Sequence, residues 1–338
     1  MKTFNARTYL YIAGSGIVII LLLALFTLFI PVSHADDTQF IYVDEDDTQD
    51  SVLNKVSAFG RTTGLSILMR HTDYGNHIRT GRYAIEPYEG AFLVLRHLKN
   101  GQQKSLNVTI PEVRTMDRLA AVLSKRLMID STTIADALRD SAMLQKLGYD
   151  TCTISAMFVP NTYDLYWNVS VETFLKRMKK EHDDFWLGDR QAKANRLGLT
   201  PNEVCTLASI IDEETSNNAE KPMIAGMYLN RLAQNMPLQA DPTIKFALRQ
   251  FDLKRIYRNM LQTDSPYNTY RYEGLPPGPI KIASIRGIDA VLSPVEHSYL
   301  YMCAKEDFSG THNFATTYSE HQKNASRYAK ALNDRGIK

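Results

Sequence analysis

Several features that often reveal a protein's function are scarce in this sequence. Its 338 residues include only three cysteines, Cys152, Cys205 and Cys303, and their wide spacing matches neither a disulfide framework nor a metal site. We expect them to be buried free thiols. The net charge is only +2, which is too small for a broad basic surface that binds nucleic acid through its phosphates. No internal repeat and no low-complexity linker divides the chain.

One long uncharged stretch, residues 12–32, is strongly apolar. Its 21 residues are about the number that a helix needs to cross roughly 30 Å of hydrocarbon. Lys2 and Arg7 precede the stretch, whereas six acidic residues follow it between positions 36 and 47. This asymmetry predicts that the N-terminus lies in the cytoplasm and the rest of the chain outside. We therefore expect a single-pass protein of the inner, cytoplasmic membrane, with its larger part on the periplasmic side.

A cleaved signal peptide is the alternative interpretation of this stretch. Ser33 and Ala35 are small residues at the two positions that a signal peptidase inspects. The apolar region of a signal peptide usually has about 7 to 15 residues, so the longer run here favours an uncleaved anchor. Both interpretations export the rest of the chain.

The pattern along the chain predicts an α+β fold in three parts. Residues 1–35 form a cytoplasmic tip and a transmembrane anchor, and residues 36–104 form a small α+β module whose last helix ends at Gly101. Residues 105–338 form a larger, mostly helical α+β domain that opens with a strand ending at Pro111. Hydrophobic residues make up 44% of the chain, which is enough for ordinary buried cores.

The most informative segment is a predicted helix over residues 200–215. Thr200 at the N-cap, Pro201 at the first helical position and Glu203 at the third form a capping box, so a helix starts here. Its apolar face consists of residues at helical spacing: Val204, Leu207, Ala208 and Ile211.

Three consecutive acids end this helix, and the helical wheel separates them. Glu214 continues the apolar face, Glu213 points the opposite way toward solvent, and Asp212 lies on the flank. A carboxyl group drawn into an apolar pocket has its pKa raised, which suits a general acid near neutral pH. A solvated helix cap is the alternative interpretation, although acidic charge at this end opposes the helix dipole. Glu214 is therefore the candidate acid.

The segments that follow predict a second helix and then rigid loops. The apolar stripe of the second helix, which we interpret as core, consists of Ile224, Met227, Tyr228 and Leu232. Loops rich in proline and tyrosine come next, at residues 239–243, 266–270 and 274–280. Proline fixes the backbone and tyrosine offers flat amphipathic faces, so such loops suit a groove that holds sugar rings. A buried, proline-rich connection is equally compatible with this composition.

Several of these segments together resemble the YceG-like family of endolytic murein transglycosylases. The matching segments are residues 208–215 (ASIIDEET), 230–232 (NRL), 238–243 (LQADPT), 267–270 (YNTY) and 274–280 (GLPPGPI). The similarity continues through residues 160–163, 299–301, 312–314 and 320–321, so it covers the chain from about residue 105 to the end. Gly81-Arg82-Tyr83 and the helix up to Gly101 resemble the family's LysM-like module, and the N-terminal helix resembles its anchor.

The resemblance implies an activity and a catalytic residue. The family's catalytic Glu precedes Thr or Ser at the end of this helix and falls on Glu214. In the family's reaction this Glu protonates the glycosidic oxygen and then, as a base, helps the C6 hydroxyl of the muramyl residue to close on the anomeric carbon. No water is consumed, so the MurNAc–GlcNAc bond of nascent strands is cut to leave 1,6-anhydro-MurNAc ends, which terminates elongation.

The sequence departs from the family pattern in three places. Ser155-Ala156 stands where the family often has Glu-Gly, and Asn161 stands in place of an Asp. These positions are therefore assigned no catalytic role. Ala283-Ser284 replaces the Pro-Gly that commonly follows the Gly-Leu-Pro-Pro-Gly loop.

The expected glycan groove is lined by polar residues of the matching segments. We assign to it Asn230, Gln239, Asp241, Tyr267, Asn268 and Tyr270. For Gln239 and Asn268, an amide that bonds the local backbone is the alternative. His312 and His321 have no third ligand in view, which favours a structural role over metal binding.

The resemblance also implies partners. We expect no cofactor and no metal. The expected partners are peptidoglycan glycan strands, the membrane through the single helix, and peptidoglycan synthases, but not nucleic acid.

Two other functions are left open by the sequence. The first is a non-catalytic envelope scaffold that binds peptidoglycan and synthases and would not need Glu214. The second is a muramidase that uses water, with Asp241 as its second carboxylate. The products separate these functions, because hydrolysis adds the elements of water and leaves a reducing end.

Overall fold

The computed structural model describes residues 6–253 and 255–336. Within these residues the fold is mixed α+β and about half helical, with fourteen α-helices and six short strands. This confirms the α+β class predicted from the sequence. Lys2, which contributes to the predicted orientation of the N-terminus, lies outside the described residues.

The chain divides into two compact units. The first comprises Met1–Val108, Arg126–Met128 and Asp164–Val169, and the second comprises Thr109–Lys125, Ile129–Tyr163 and Ser170–Lys338. The boundaries at residues 35 and 104 drawn from the sequence stay predictions.

The first unit is built around one antiparallel strand pair. Its elements are α1 (Ala6–Phe29), β1 (Gln39–Val43), α2 (Gln49–Ser57), α3 (Thr63–His71), β2 (Gly81–Ile85) and α4 (Ala91–Asn100). β1 pairs with β2, from Gln39 opposite Ile85 to Val43 opposite Gly81. The order is therefore strand, two helices, strand, followed by α4. That helix ends at Gly101 with a left-handed φ of 67°, as its sequence predicts.

Within the described residues, α1 is the one helix long and apolar enough to cross a membrane, over Tyr9–Phe29. Its capacity to span rests on length and composition. A signal sequence near an N-terminus has the same properties.

The end of α1 packs against α3 and α4. A Cβ atom on Gly64 would lie 2.1 Å from the carbonyl oxygen of Thr27, and a Cβ on Gly60 would lie 1.9 Å from that of Val32. Glycine is therefore required at both positions. Val32 is only 1% exposed and belongs to the core of the unit, and its N–H donates to the Glu89 carbonyl over 2.8 Å. The chain immediately after α1 is thus part of the folded unit.

The second unit is mostly helical. Its helices are α5 (Met116–Leu123), α6 (Ser131–Ala137), α7 (Ser141–Lys146), α8 (Val171–Trp186), α9 (Asp189–Arg196), α10 (Pro201–Glu214), α11 (Lys221–Ala233), α12 (Asp241–Ala247), α13 (Ile285–Leu292) and α14 (Tyr318–Asp334). β5 (Tyr301–Ala304) and β6 (His312–Ala315) form an antiparallel hairpin. β3 (Leu106–Thr109) pairs with β4 (Thr162–Leu165).

α10 is the central helix of the second unit. The predicted capping box is confirmed, since the Thr200 hydroxyl accepts the Glu203 N–H and the Glu203 carboxylate accepts the Thr200 N–H. Every residue from Val204 to Ile211 is buried, rather than one face alone. The cause is packing on several sides, because α9, α11, α12 and α13 all contact the helix. Ser209 meets this burial by donating to the Thr206 carbonyl and accepting the Ile280 N–H.

The cysteines are free thiols, as predicted, but only one is fully buried. Cys205 lies inside α10, where neighbouring helices enclose it. Cys152 and Cys303 are partly exposed, so the prediction of burial is wrong for both. Cys303 is on β5, whose residues are all only half-buried because the hairpin has two strands.

A buried ion pair ties α10 to its neighbours. The Asp212 side chain is only 2% exposed and accepts hydrogen bonds from Lys221 Nζ (2.7 Å), from the Ser284 N–H (2.6 Å) and from the Ser284 hydroxyl (2.7 Å). Lys221 begins α11 and Ser284 caps α13. Gly287 leaves room for this carboxylate, because a Cβ there would lie 2.6 Å from Asp212 Oδ1. One charge therefore joins the ends of three helices.

We expect Asp212→Ala to destabilise the protein by about 3 to 5 kcal/mol, because it leaves the Lys221 ammonium buried without its partner. Thermal and urea unfolding measure the loss. The matched control is Asp184→Ala, since Asp184 pairs with Lys180 on the exposed surface of α8 and such a pair contributes about 0.5 kcal/mol or less. Similar losses in both variants would contradict this prediction.

Candidate active site

Glu214 is the last residue of α10. Its carboxylate Oε1 accepts a hydrogen bond from the Tyr228 hydroxyl of α11 over 2.8 Å. The residue is half-buried, while Tyr228 is 2% exposed. The carboxyl group is thus held from within the protein on one side.

Burial raises the pKa of Glu214 from its ordinary value of 4.5 to about 7. The hydrogen bond from Tyr228 and the positive charge of Lys245 lower the pKa, while the negative charges of Asp241 and Glu213 raise it further. Because loss of hydration outweighs the two stabilising contacts, the carboxyl group is partly protonated at neutral pH. It can therefore both give and take a proton there.

Glu214 lines a cavity of about 470 Å³ in the second unit. The walls come from α10, α11, α12, the β5–β6 hairpin and α14 and from the loops between them. The lining residues are Glu214, Met227, Tyr228, Arg231, Leu238, Gln239, Asp241, Tyr270, Met302, Cys303, Ala304, His312, Tyr318 and His321. A cavity with this many polar side chains and several aromatic rings suits a sugar.

A second carboxylate, that of Asp241, lies in the same cavity. Asp241 is the first residue of α12 and is exposed, and the Tyr270 hydroxyl donates to its Oδ1 over 2.6 Å. Its charge is one of the causes that raise the pKa of Glu214. The loop before it is fixed, since Gln239 has a left-handed φ of 50° and its N–H donates to the Thr269 carbonyl.

The six predicted groove residues separate into two groups. Gln239, Asp241 and Tyr270 line the cavity with Glu214. The Asn230 amide instead donates to the carbonyls of His297 and Tyr299. The buried Asn268 amide donates to the carbonyls of Leu261 and Thr263, and its oxygen accepts the Tyr270 N–H. Tyr267 lines a different cavity of the same unit.

The prediction that Glu213 faces solvent is wrong. Its side chain is only 14% exposed and accepts two hydrogen bonds from Arg114, the shorter at 2.7 Å. Lys281 Nζ lies 3.5 Å from its other oxygen. The helical wheel separates Glu213 from Glu214 correctly, but segments distant in sequence cover the side that it expects to be exposed.

Arg231 supports one wall of the cavity and was not assigned to the site from the sequence. Its guanidinium is buried and donates to the carbonyls of Leu300 (2.6 Å), Pro237 (3.0 Å) and Leu238 (3.0 Å), and it lies over the Tyr301 ring. It thereby joins β5 to the segment that carries Gln239. The sequence feature that could have identified Arg231 as a site residue is its place in the segment 230–232, which matches the family.

Two histidines that the sequence leaves in structural roles also line the cavity. The His312 N–H and ring Nδ1 both contact the buried Glu220 carboxylate, at 2.7 and 2.9 Å. His321 stacks on Tyr301, and its buried Nδ1 has no hydrogen-bond partner among the described residues. Burial and the nearby Arg231 lower the pKa of His321, so its ring is neutral at pH 7.

We expect Tyr228→Phe to raise the pKa of Glu214 further, because it removes a hydrogen bond that stabilises the carboxylate. With Glu214 as the general acid that the sequence predicts, the fall in kcat at alkaline pH should move to higher pH. The pH profile of glycan cleavage measures the change. Tyr272→Phe is the matched control, since the exposed Tyr272 donates to Asp264. An alkaline limb that stays in place in the Tyr228 variant would rule out this role.

We expect Glu214→Gln to stabilise the fold above neutral pH. Between pH 4.5 and about pH 7, Glu214 keeps a proton in the folded chain that it has lost in the unfolded chain. The free energy of unfolding therefore falls as the pH rises through this window. At roughly 1.4 kcal/mol per pKa unit, the difference corresponds to about 3 kcal/mol. From about pH 5 to about pH 8, the thermal midpoint should fall more in the wild type than in the variant. Equal falls would contradict the raised pKa.

Comparison with known proteins places the chain in a family. The model of the YceG-like family matches residues 41–327. An endolytic murein transglycosylase of Bacillus subtilis (strain 168) is 28% identical over an alignment of 246 residues, and the match covers 68% of this chain and 67% of that protein. One of Streptococcus pneumoniae serotype 2 (strain D39) is 24% identical over an alignment of 319 residues, and the match covers 82% of this chain but only 57% of the longer pneumococcal protein.

The fold has a counterpart among solved structures. The 2.6 Å crystal structure of a YceG-like protein from Listeria monocytogenes matches with a TM-score of 0.56 at 23% identity. The match covers 86% of this chain and 99% of the other. With most of its residues matched by the family model, the chain belongs to the YceG-like family.

Proposed function

We propose that this protein is an endolytic murein transglycosylase that cuts the MurNAc–GlcNAc bond of nascent peptidoglycan strands without water. The observation that carries the proposal is the Glu214 carboxyl group, which lines a polar and aromatic cavity and has its pKa raised to about 7. The two curated relatives are both named endolytic murein transglycosylases. The products would end in 1,6-anhydro-MurNAc, and the cut would terminate glycan elongation.

In this proposal Glu214 acts twice. Protonated Glu214 first gives its proton to the glycosidic oxygen as the bond to the anomeric carbon breaks. The resulting carboxylate then takes the proton of the C6 hydroxyl while that oxygen bonds to the anomeric carbon. Because the nucleophile belongs to the substrate, its high effective concentration replaces a second catalytic carboxylate. A pKa near neutrality suits both steps, and Tyr228 keeps the carboxyl group oriented between them.

We assign the glycan contacts to Gln239, Asp241 and Tyr270, which line the cavity with Glu214. Asp241 is an anion held by Tyr270, so it can stabilise positive charge that develops on the sugar ring. Asn230 and Asn268 position the site instead of contacting the glycan, because their amides donate hydrogen bonds to the backbone of neighbouring segments. Tyr267 would meet a substituent of the glycan in its own cavity.

A muramidase is the second candidate function. The observation in its favour is that Asp241 shares the cavity with Glu214. Two carboxyl groups across a sugar are the usual arrangement for hydrolysis. In such an enzyme Asp241 would activate water or form the covalent intermediate, and the products would have reducing ends.

We further propose that α1 is an uncleaved anchor in the inner membrane and that the second unit works on the periplasmic side. Cleavage after Ala35 would remove Val32, a 1%-exposed core residue, and the buried Ser33. Without these two residues the first unit would bury less apolar surface and would be less stable. Its strand, two helices, strand order is compatible with the LysM-like assignment. The synthases that make nascent strands are the expected partners.

We expect Glu214→Gln to reduce cleavage of uncrosslinked glycan strands by about 10²-fold or more, because it removes the general acid and base. Mass spectrometry of the products measures both rate and chemistry. The wild-type protein should give anhydro ends, and Glu296→Gln, which makes the same change at an exposed position, should match it.

Each other outcome points to one alternative. Reducing ends from the wild-type protein would favour the muramidase. An envelope function that survives in cells carrying Glu214→Gln would favour the non-catalytic scaffold.

A further inference from the structure

We propose that a second cavity, of about 360 Å³, binds a carboxylate of the peptide that the glycan strand carries. This inference rests on the proposed function. The cavity lies in the same unit as the Glu214 site. Its lining residues are Arg114, Thr115, Met116, Asp117, Leu138, Arg139, Thr151, Cys152, Ile154, Ser155, Phe246, Arg249, Phe251, Tyr267 and Pro279.

The charge of this cavity is positive. Three arginines line it against a single acid, Asp117. Arg139 pairs with Asp117, and Arg114 pairs with Glu213. Arg249 is exposed, and it forms no ion pair within the part of the chain that the structure describes. One guanidinium is therefore available for an anion from outside, and its planar fork matches a carboxylate.

The walls between the arginines include apolar and aromatic side chains. The rings of Phe246 and Tyr267 lie 4.7 Å apart, and the Arg114 guanidinium lies 5.5 Å from the centre of the Phe251 ring. A diphosphate, such as that of a lipid-linked strand, would use the arginines but leave these rings without a partner. A short peptide combines carboxylates with small apolar side chains, so it fits this mixture better.

The cavity lies within reach of the catalytic one. Helix α12 joins them, since Asp241 at its start lines the first cavity and Phe246 lines the second, about 7.5 Å further along the axis. Two tyrosines of one turn also line different cavities: Tyr270 lines the first and Tyr267 lines the second. Three extended peptide residues span up to about 10 Å. A peptide of this length is therefore comparable to the axial separation of the residues of α12 that line the two cavities.

Binding to the full-length protein in detergent tests this inference. The probe is a soluble disaccharide-tripeptide with free carboxylates, and the comparisons are the same molecule with its carboxylates amidated and inorganic diphosphate. We expect the free-carboxylate probe to bind at least about tenfold more weakly to Arg249→Gln, as it should when one charged hydrogen bond is lost.

Two further variants sharpen the test. Thr151→Glu adds a negative charge to the cavity wall at an exposed position and should weaken binding more than Arg249→Gln does. Arg286→Gln makes the same charge change at an exposed position on α13 and should bind like the wild type. Amidation should weaken binding to the wild type and have little further effect on Arg249→Gln.

Three results would overturn the inference: unchanged binding in Arg249→Gln, equal binding of the amidated probe, or displacement of the probe by diphosphate at similar concentration. Cleavage assays separate this inference from the proposed function. On strands stripped of peptide, Arg249→Gln should cut like the wild type, while on peptide-bearing strands its KM should rise about tenfold. A wild-type protein that cuts neither strand would contradict the proposed function, and the binding result would still decide on the cavity.

Discussion

The buried pair of Asp212 and Lys221 is the interaction on which the geometry of the site depends. Asp212 lies two residues before Glu214, and Lys221 begins the helix that brings Tyr228 to it. The same carboxylate holds Ser284 at the start of α13. Removing such charges from water is costly, so the pair persists only because every oxygen of the carboxylate is hydrogen-bonded. The 2.8 Å contact between Tyr228 and Glu214 follows from where these helix ends meet.

Three consecutive acids at the end of α10 have three different environments. Asp212 faces an ammonium group, and Glu213 faces Arg114 and Lys281. Within the described residues, the hydrogen-bond partner of Glu214 is a neutral hydroxyl, and the charge of Lys245 is too weak to offset the burial of its carboxyl group. The first two therefore have cationic partners, while burial raises the pKa of the third to about 7. Neighbours in sequence acquire distinct chemistry because different distant segments reach each one.

The sequence predicts local features well and distant ones poorly. The start of α10 and the place of Glu214 follow from capping residues and a period of 3.6, which act within a few residues. Tyr228 is fourteen residues further along and looks like core, which it also is. His312 and His321 enter the site through a hairpin and a C-terminal helix whose packing no local pattern encodes. Arg231 lies on α11 with Tyr228, and its contact with Leu300 next to that hairpin is equally distant in sequence. The burial of Glu213 was missed for the same reason.

Gly60 and Gly64 pack tightly against the end of α1 and the residues that follow it. This packing limits how far the first unit can move away from α1. Only two residues separate the end of α1 at Phe29 from the core residue Val32, a span of about 10 Å at most. With α1 in the bilayer as proposed, no flexible linker separates this unit from the membrane helix, so the unit rotates with the helix. Under that proposal the unit stays close to the lipid surface and cannot extend far from it.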